Sequence, residues 1–199
     1  MSKTIDYYFS PSSPWTYFGH ARFVAIARAA GAQVNLRPVD YGKVFPVSGG
    51  LPVKSRPLQR QAYRMMELER WRAHLGMPLT LEPAFFPVAS NDACKIIIAA
   101  EAHGSDLALA LAATILRACW AEEKNIADHA VLAACADRAG LPGGTLAAQL
   151  GDAAVRARFD AYTDQAIARQ VFGAPTFMVD GALFWGQDRL DFVERALSP

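Results

Sequence analysis

The chain has 199 residues, of which 52% are hydrophobic, so it can bury a full core as one domain or as one domain with an insertion. Lys and Arg number 20 against 19 Asp and Glu, and no run of basic residues could neutralise a row of phosphates, so nucleic acid is not an expected partner. Residues 1–9 lack the pattern of a signal peptide, and no apolar run reaches the ~20 residues of a membrane span. We therefore expect a cytoplasmic protein.

The first part of the chain has the pattern of strand, helix and strand. Residues 3–9 are rich in Ile, Tyr and Phe and predict a buried strand, and residues 15–30 have apolar positions at helical spacing. A second strand is predicted over residues 33–39, parallel to the first and joined to it by a right-handed crossover. Residues 41–57 are rich in Gly and Pro and predict a long loop of the kind that often carries function.

Helical patterns dominate the middle of the chain, over residues 58–75, 91–103, 106–122, 128–139 and 144–170, the last broken near Gly151. Two short strands around Asp180-Gly181 then predict a hairpin, and a last helix is predicted over residues 188–197.

This order of elements predicts an α/β protein with a thioredoxin-like fold and an inserted all-helical domain. Residues 1–45 and 171–199 would form the thioredoxin-like domain, and residues 46–170 the inserted loop and helical domain. A cleft between the two is where a small-molecule site is expected.

The start of the first helix is the most informative segment. Ser13 and Pro14 fall where orphan backbone N–H groups and the positive end of the helix dipole favour an anion such as a thiolate or a carboxylate. Ser13 also matches an ordinary helix N-cap, and Ser10 and Ser12 are its rivals as the functional hydroxyl.

Neither the cysteines nor the histidines form a recognisable site. Cys94, Cys119 and Cys135 lie in alanine-rich helical stretches without a Cys-x-x-Cys pair, so we expect them in the core. The four histidines are far apart and lack clustered carboxylates or thiols, so no metal site is expected.

Two segments resemble the DsbA-like thioredoxin proteins. Ser13-Pro14-Trp15-Thr16 occupies the place of their Cys-Pro-x-Cys motif, and Gly173-Ala174-Pro175 resembles the loop whose proline is cis. Because both motif cysteines are replaced, disulfide exchange, which needs a thiolate of the protein's own, is not expected.

Four further motifs stand along the chain, namely Gly49-Gly50-Leu51-Pro52, Arg60-Gln61-Ala62-Tyr63, Glu69-Arg70-Trp71, and Phe184-Trp185-Gly186-Gln187-Asp188-Arg189. Together with the two segments above, they make the chain resemble, over essentially its whole length, the bacterial 2-hydroxychromene-2-carboxylate isomerases, which are related to kappa-class glutathione transferases.

The resemblance implies a homodimeric, glutathione-dependent isomerase that interconverts 2-hydroxychromene-2-carboxylate and trans-o-hydroxybenzylidenepyruvate in aromatic catabolism. A kappa-type glutathione transferase or peroxidase is the alternative within the superfamily. A non-catalytic glutathione-binding protein is the alternative from a different class.

The resemblance also implies the cofactor-binding residues, which are Ser13, Pro14, Trp15, Arg60, Ala174, Pro175, Gln187 and Asp188. Ser13 would hydrogen-bond the glutathione sulfur, and it is preferred over its rivals because it immediately precedes Pro14, as the attacking cysteine does in the redox relatives. Ala174 would pair with the cysteinyl backbone in the manner of a strand.

The two ends of glutathione are assigned to different segments. Gln187 and Asp188 would hold the γ-glutamyl group, with a helix cap as the alternative role of Asp188. Arg60 would meet the glycine carboxylate, although the alternative is a charged solvated helix face that Arg60 shares with Arg64 and Glu67. The family often has an asparagine where this chain has Gly49-Gly50, so Lys54 and Arg56 are rivals of Arg60.

Six aromatic residues are candidates to line a substrate pocket: Trp15, Tyr17, Phe45, Phe85, Phe86 and Trp185. Aromatic side chains more often belong to the core. We therefore assign only Trp15 and Trp185 to the pocket.

Overall fold

The computed structural model describes residues 3–198, and a four-stranded mixed sheet lies at its centre. The strands are β1 (Thr4–Phe9), β2 (Gln33–Pro38), β3 (Thr176–Val179) and β4 (Ala182–Trp185). They lie in the order β2-β1-β3-β4, with β1 parallel to β2 and the other two pairs antiparallel. This is the strand, crossover and hairpin arrangement that the sequence predicts.

Helices surround the sheet. They are α1 (Pro14–Ala29), α2 (Tyr41–Ser48), α3 (Leu58–Leu75), α4 (Asn91–Ala100), α5 (Ser105–Trp120), α6 (His129–Arg138), α7 (Gly143–Ala148), α8 (Ala153–Ala168) and α9 (Leu190–Leu197). Short 3-10 turns span Val53–Ser55, Glu101–His103, Gln149–Gly151 and Gln187–Arg189. The predicted helices are confirmed to within a few residues at their ends, including the break near Gly151.

The prediction of a long loop over residues 41–57 is wrong in its first half, where α2 forms. The Asp40 side chain caps α2 by accepting a hydrogen bond from Gly42 N at 2.8 Å, and Gly49 at φ 76° ends it. Val44 is fully buried, and Lys43 forms an ion pair with Asp160 on α8. Burial of Val44 favours α2 although Pro46 lies inside it, and the ion pair of Lys43, which is exposed, adds little.

One large hydrophobic cluster joins the sheet to the central helices. Tyr7 on β1 and Phe177 on β3 stack with ring centroids 5.3 Å apart, and Phe23 of α1 packs on both rings. The same cluster continues through Ile97 of α4 and Leu111 of α5. The core therefore runs across the predicted boundary between residues 1–45 and 46–170, and the division into two domains stays a prediction.

The three cysteines are free and buried, as predicted, in α4, α5 and α6. Burial raises the pKa of each thiol: to about 12 for Cys119, and well above the ordinary value for Cys94. No helix within residues 3–198 combines the length and the apolar character needed to cross a membrane.

Candidate functional site

Ser13 lies at the start of α1, where the sequence places it. It is the N-cap residue, its hydroxyl accepts a hydrogen bond from Thr16 N at 3.2 Å, and Pro14 follows as the first helical residue. Because Pro14 has no N–H and Thr16 N is already bonded, the backbone N–H of Trp15 is the orphan donor of the first turn that remains for a ligand. The N-cap alternative is therefore real, and it leaves the hydroxyl proton of Ser13 free for a second partner.

That proton points to the loop between α8 and β3. The Ser13 hydroxyl donates to the carbonyl oxygen of Ala174 at 3.4 Å, and the Ala174–Pro175 peptide bond is cis. A separation of 3.4 Å is long for an O–H···O hydrogen bond, so this contact is weak. The start of α1 and the cis-proline loop, 161 residues apart in sequence, thus meet in the manner that the resemblance implies.

The cis-proline loop is braced on its other side. The carbonyl oxygen of Gly173 accepts hydrogen bonds from the Tyr41 hydroxyl at 2.8 Å and from the Thr176 hydroxyl at 2.7 Å. The Pro175 carbonyl accepts from Gly186 N at 2.9 Å, where β4 has just ended. This bracing fixes the backbone of Ala174. The Ala174 N–H donates no hydrogen bond within the described part of the chain, so this backbone edge can pair with a peptide ligand.

The two tryptophans assigned to the pocket differ in exposure. Trp15 is partly buried, with its ring 6.2 Å from that of Phe18. Trp185 is half exposed, and its ring lies 4.8 Å from Phe172. A Cβ at Gly173 would collide with the Trp185 indole, so a larger residue at this position would have to displace that ring.

The rival serines are engaged elsewhere. The hydroxyls of Ser10 and Ser12 lie 3.0 Å apart, and both contact the hydroxyl of Ser90, at 3.4 Å and 3.3 Å. Ser90 immediately precedes α4, so this cluster joins the helical block to the start of α1. Sequence reasoning had no signal for Ser90, because an isolated serine before a helix is common.

The predicted γ-glutamyl site lies against α1. Gln187 is buried at 2% exposure, and its side-chain and backbone oxygens accept hydrogen bonds from Arg22 at 3.2 Å and 2.7 Å. Asp188 is exposed and pairs with Arg189 at 2.9 Å. Neither the turn at Gln187–Arg189 nor α9 has a side-chain cap, so the structure does not support the capping role of Asp188.

Arg22 is a cation that the sequence analysis missed. Burial lowers its pKa, and the negative charge of Asp188 acts in the opposite direction, so the two groups interact. Gly19, three residues earlier on α1, leaves no room for a Cβ because Gln187 packs directly on it. The Gln187-Asp188 pair is thus held beside the first helix by Arg22 and by this close packing.

The predicted cations around the start of α3 have graded exposure. Lys54 and Arg60 are exposed, and Arg56 is partly buried, with its Nε donating to the carbonyl oxygen of Leu51 at 2.9 Å. Burial lowers the pKa of Arg56, and the nearby charge of Arg60 adds to that shift. Arg64, one turn further along α3, is buried and was treated in the sequence analysis only as part of a charged helix face.

A sheet in which a cis-proline loop meets the start of the first helix is the arrangement of the DsbA-like thioredoxin class. The model of the DSBA-like thioredoxin domain family matches residues 4–198.

Comparison with individual proteins narrows the class. The 2-hydroxychromene-2-carboxylate isomerase of Sphingobium xenophagum is 33% identical over 198 residues, which cover 99% of each chain. A solved 2-hydroxychromene-2-carboxylate isomerase aligns with a TM-score of 0.81 and 26% identity over 98% of this chain and 94% of its own. The chain therefore belongs to the 2-hydroxychromene-2-carboxylate isomerase family.

A more distant solved structure shares the fold. The cytosolic disulfide reductase DsbM from Pseudomonas aeruginosa, solved with GSH (glutathione), aligns with a TM-score of 0.66 and 22% identity over 97% of this chain and 93% of its own.

Proposed function

We propose that the protein is a glutathione-dependent isomerase that interconverts 2-hydroxychromene-2-carboxylate and trans-o-hydroxybenzylidenepyruvate. Membership of the isomerase family supports the reaction. The observation that carries the proposal is the Ser13 hydroxyl, which stands at a helix start beside the Ala174 carbonyl. A protein thiol is not at that position, because the three cysteines are buried within α4, α5 and α6.

The residues present fit glutathione. The helix start with its orphan Trp15 N–H suits a thiolate, the edge of Ala174 suits a peptide backbone, and exposed Arg60 suits a carboxylate. The structure solved with glutathione has the same fold. When bound, glutathione supplies a sulfur nucleophile that adds to the conjugated system of the substrate, allows rotation about the former double bond and is released unchanged.

Ser13 stabilises the thiolate in this proposal. Its hydroxyl oxygen would still accept the hydrogen bond from Thr16 N, and its O–H would donate to the sulfur instead of to Ala174 O, where the present contact is weak. A hydrogen bond to the anionic form lowers the pKa of a thiol, and the helix dipole acts in the same direction. More of the cofactor is then in its nucleophilic form at neutral pH.

The other predicted residues orient the two ligands. Asp188 and Gln187, held beside α1 by Arg22, would bind the γ-glutamyl end of glutathione. Trp185, half exposed beside the cis-proline loop, and Trp15 would contact the aromatic substrate. The same proposal includes two properties implied by the family resemblance: the protein acts in aromatic catabolism in the cytoplasm, and it is a homodimer.

The test is turnover of the chromene by purified protein, followed by the ultraviolet spectra of the two isomers with and without added glutathione. We expect equilibration that depends on glutathione and consumes none of it. Conjugation of 1-chloro-2,4-dinitrobenzene without isomerisation would instead establish a transferase. Calorimetric binding of glutathione with neither activity would establish a non-catalytic binding protein.

A further inference from the structure

Two buried hydrogen-bond donors lack partners in the helical block. Arg64 on α3 is 8% exposed, and its Nη2 has no hydrogen-bond partner among the described residues. Trp120, the last residue of α5, is fully buried, and its Nε1 is also without a partner there. Most buried donors in folded proteins are satisfied, so two neighbouring orphans call for a common explanation.

The two donors flank one aromatic ring. The guanidinium of Arg64 lies 5.4 Å from the ring centroid of Phe86 and 6.0 Å from that of Trp120. The two rings are themselves 4.8 Å apart. The three side chains therefore form a compact triangle with an aromatic wall and two N–H donors.

The electrostatics of this triangle favour an anion. The contact of Arg64 Nη1 with the Met65 sulfur at 3.8 Å is a weak hydrogen bond, and Arg64 has no ion pair with a carboxylate in the described chain. Burial, together with the charge of Arg56, lowers the pKa of Arg64 to about 10, so the group is still cationic at neutral pH. A buried cation without a counter-ion is costly, and a bound carboxylate removes that cost.

A short stretch of chain connects the triangle to the candidate site. Phe86 is four residues before Ser90, a separation of at most ~15 Å along the backbone, and the Ser90 hydroxyl contacts that of Ser12, the neighbour of Ser13. Helix α3 also contacts α1.

We propose that Arg64 and Trp120 bind the carboxylate of the isomerase substrate while Phe86 packs against its conjugated system. The inference rests on the proposed function for the identity of that substrate. Both isomers carry a carboxylate attached to an unsaturated aromatic framework, which suits a guanidinium in an aromatic setting better than the polar end of a peptide does. Exposed Arg60 is left for the glycine carboxylate of glutathione.

The experiment compares Arg64→Met, which keeps the bulk of the side chain and removes its charge, with Arg64→Lys, Trp120→Phe and the control Arg70→Met. Arg70 lies on the same helix but is exposed and pairs with Glu67. Steady-state rates are measured for the chromene carboxylate and for its methyl ester. Binding of cinnamate and of glutathione is measured separately by calorimetry.

The carboxylate is present throughout the reaction, so its loss of contact affects ground state and transition state alike and changes KM rather than kcat. We expect Arg64→Met to raise KM for the acid about 10- to 100-fold, since a charged hydrogen bond is lost, and to change KM for the ester by no more than about twofold. Cinnamate affinity should fall about 10- to 100-fold, as KM for the acid rises. Arg64→Lys should recover part of the loss, and Trp120→Phe should raise KM about threefold to tenfold. Arg70→Met should behave as wild type.

Equal losses for acid and ester, or unchanged cinnamate affinity in Arg64→Met, would overturn the inference. A glutathione affinity that falls in proportion would also overturn it, because Arg64 would then serve the cofactor. If Arg64→Met does not fold, unchanged cinnamate affinity in both Arg64→Lys and Trp120→Phe would likewise overturn the inference. Wild type that binds cinnamate through Arg64 but does not isomerise the chromene would support the carboxylate site and refute the proposed function.

Discussion

Replacing Ser13 by alanine tests the centre of the proposed site. The substitution removes both a helix cap and the hydroxyl proton that is directed at Ala174 O. Loss of the cap alone should cost about 1 kcal/mol of stability. Loss of the donor should raise the pKa of the bound glutathione thiol and slow turnover.

The size of the catalytic effect follows from the geometry. Because the hydrogen bond from Ser13 to Ala174 O is long at 3.4 Å, little is lost when the proton is redirected to sulfur, and most of the donor's strength serves the thiolate. One oriented donor in an active site is worth about ten- to a thousandfold in rate, or roughly 1.4 to 4 kcal/mol. Glutathione affinity should fall less than turnover.

The assay is a titration of the thiolate absorbance of bound glutathione against pH, with turnover measured on the same samples. Ser13→Gly separates the two roles, since glycine costs a helix start only a few tenths of a kcal/mol and has no hydroxyl. The Ser13→Gly variant should have nearly the melting temperature of wild type but should still turn over slowly. Ser12→Ala, which removes a hydroxyl engaged with Ser10 and Ser90, is the matched control and should keep both the pKa and the rate. An unchanged titration and full activity in Ser13→Ala would remove Ser13 from the mechanism.

Three further outcomes are expected. A variant with all three cysteines changed to alanine should stay active and glutathione-dependent, although core cavities can cost roughly 1 kcal/mol or more each; a well-folded but inactive variant would show that a protein thiol is required. Asp188→Ala should weaken glutathione binding about fivefold by calorimetry with little change in melting temperature, since this carboxylate is exposed and caps no helix. The control Asp191→Ala on α9 should bind glutathione as wild type does, and equal affinities in the two variants would refute a role of Asp188 in binding glutathione. Burial lowers the pKa of His20 on α1 to about 4, so the unfolded chain binds more protons than the folded protein between pH 6.5 and 4. The free energy of unfolding should therefore fall by an amount on the order of 3 kcal/mol over that range, and urea unfolding of His20→Gln should lack this loss. An equal pH dependence of unfolding in both proteins would contradict the lowered pKa of His20.

The candidate site was partly predictable because its two main segments carry local signals. A serine before a proline at the start of an apolar helical pattern indicates a helix cap, and Gly173-Ala174-Pro175 has the form of the cis-proline loop of a known fold. The engagement of Gln187 was not predictable, because its partner Arg22 lies 165 residues away in sequence and an arginine on a helix is normally a surface group.

The sequence by itself determined the strands and most of the helices, since hydrophobic period, capping residues and Gly or Pro stops act over a few neighbouring positions. The family was identified from the resemblance of its motifs to those of known proteins. Only the tertiary structure decided that one segment predicted as a loop is a helix and that one residue predicted on the surface is buried. Helix α2 forms in a stretch rich in Gly and Pro because Val44 is buried in the core and the Asp40 side chain caps the helix start. Arg64, which its pattern places on a charged face, is instead buried against Phe86 and Trp120. Burial and partnership depend on contacts between residues far apart in the chain, and those contacts exist only once the chain has folded.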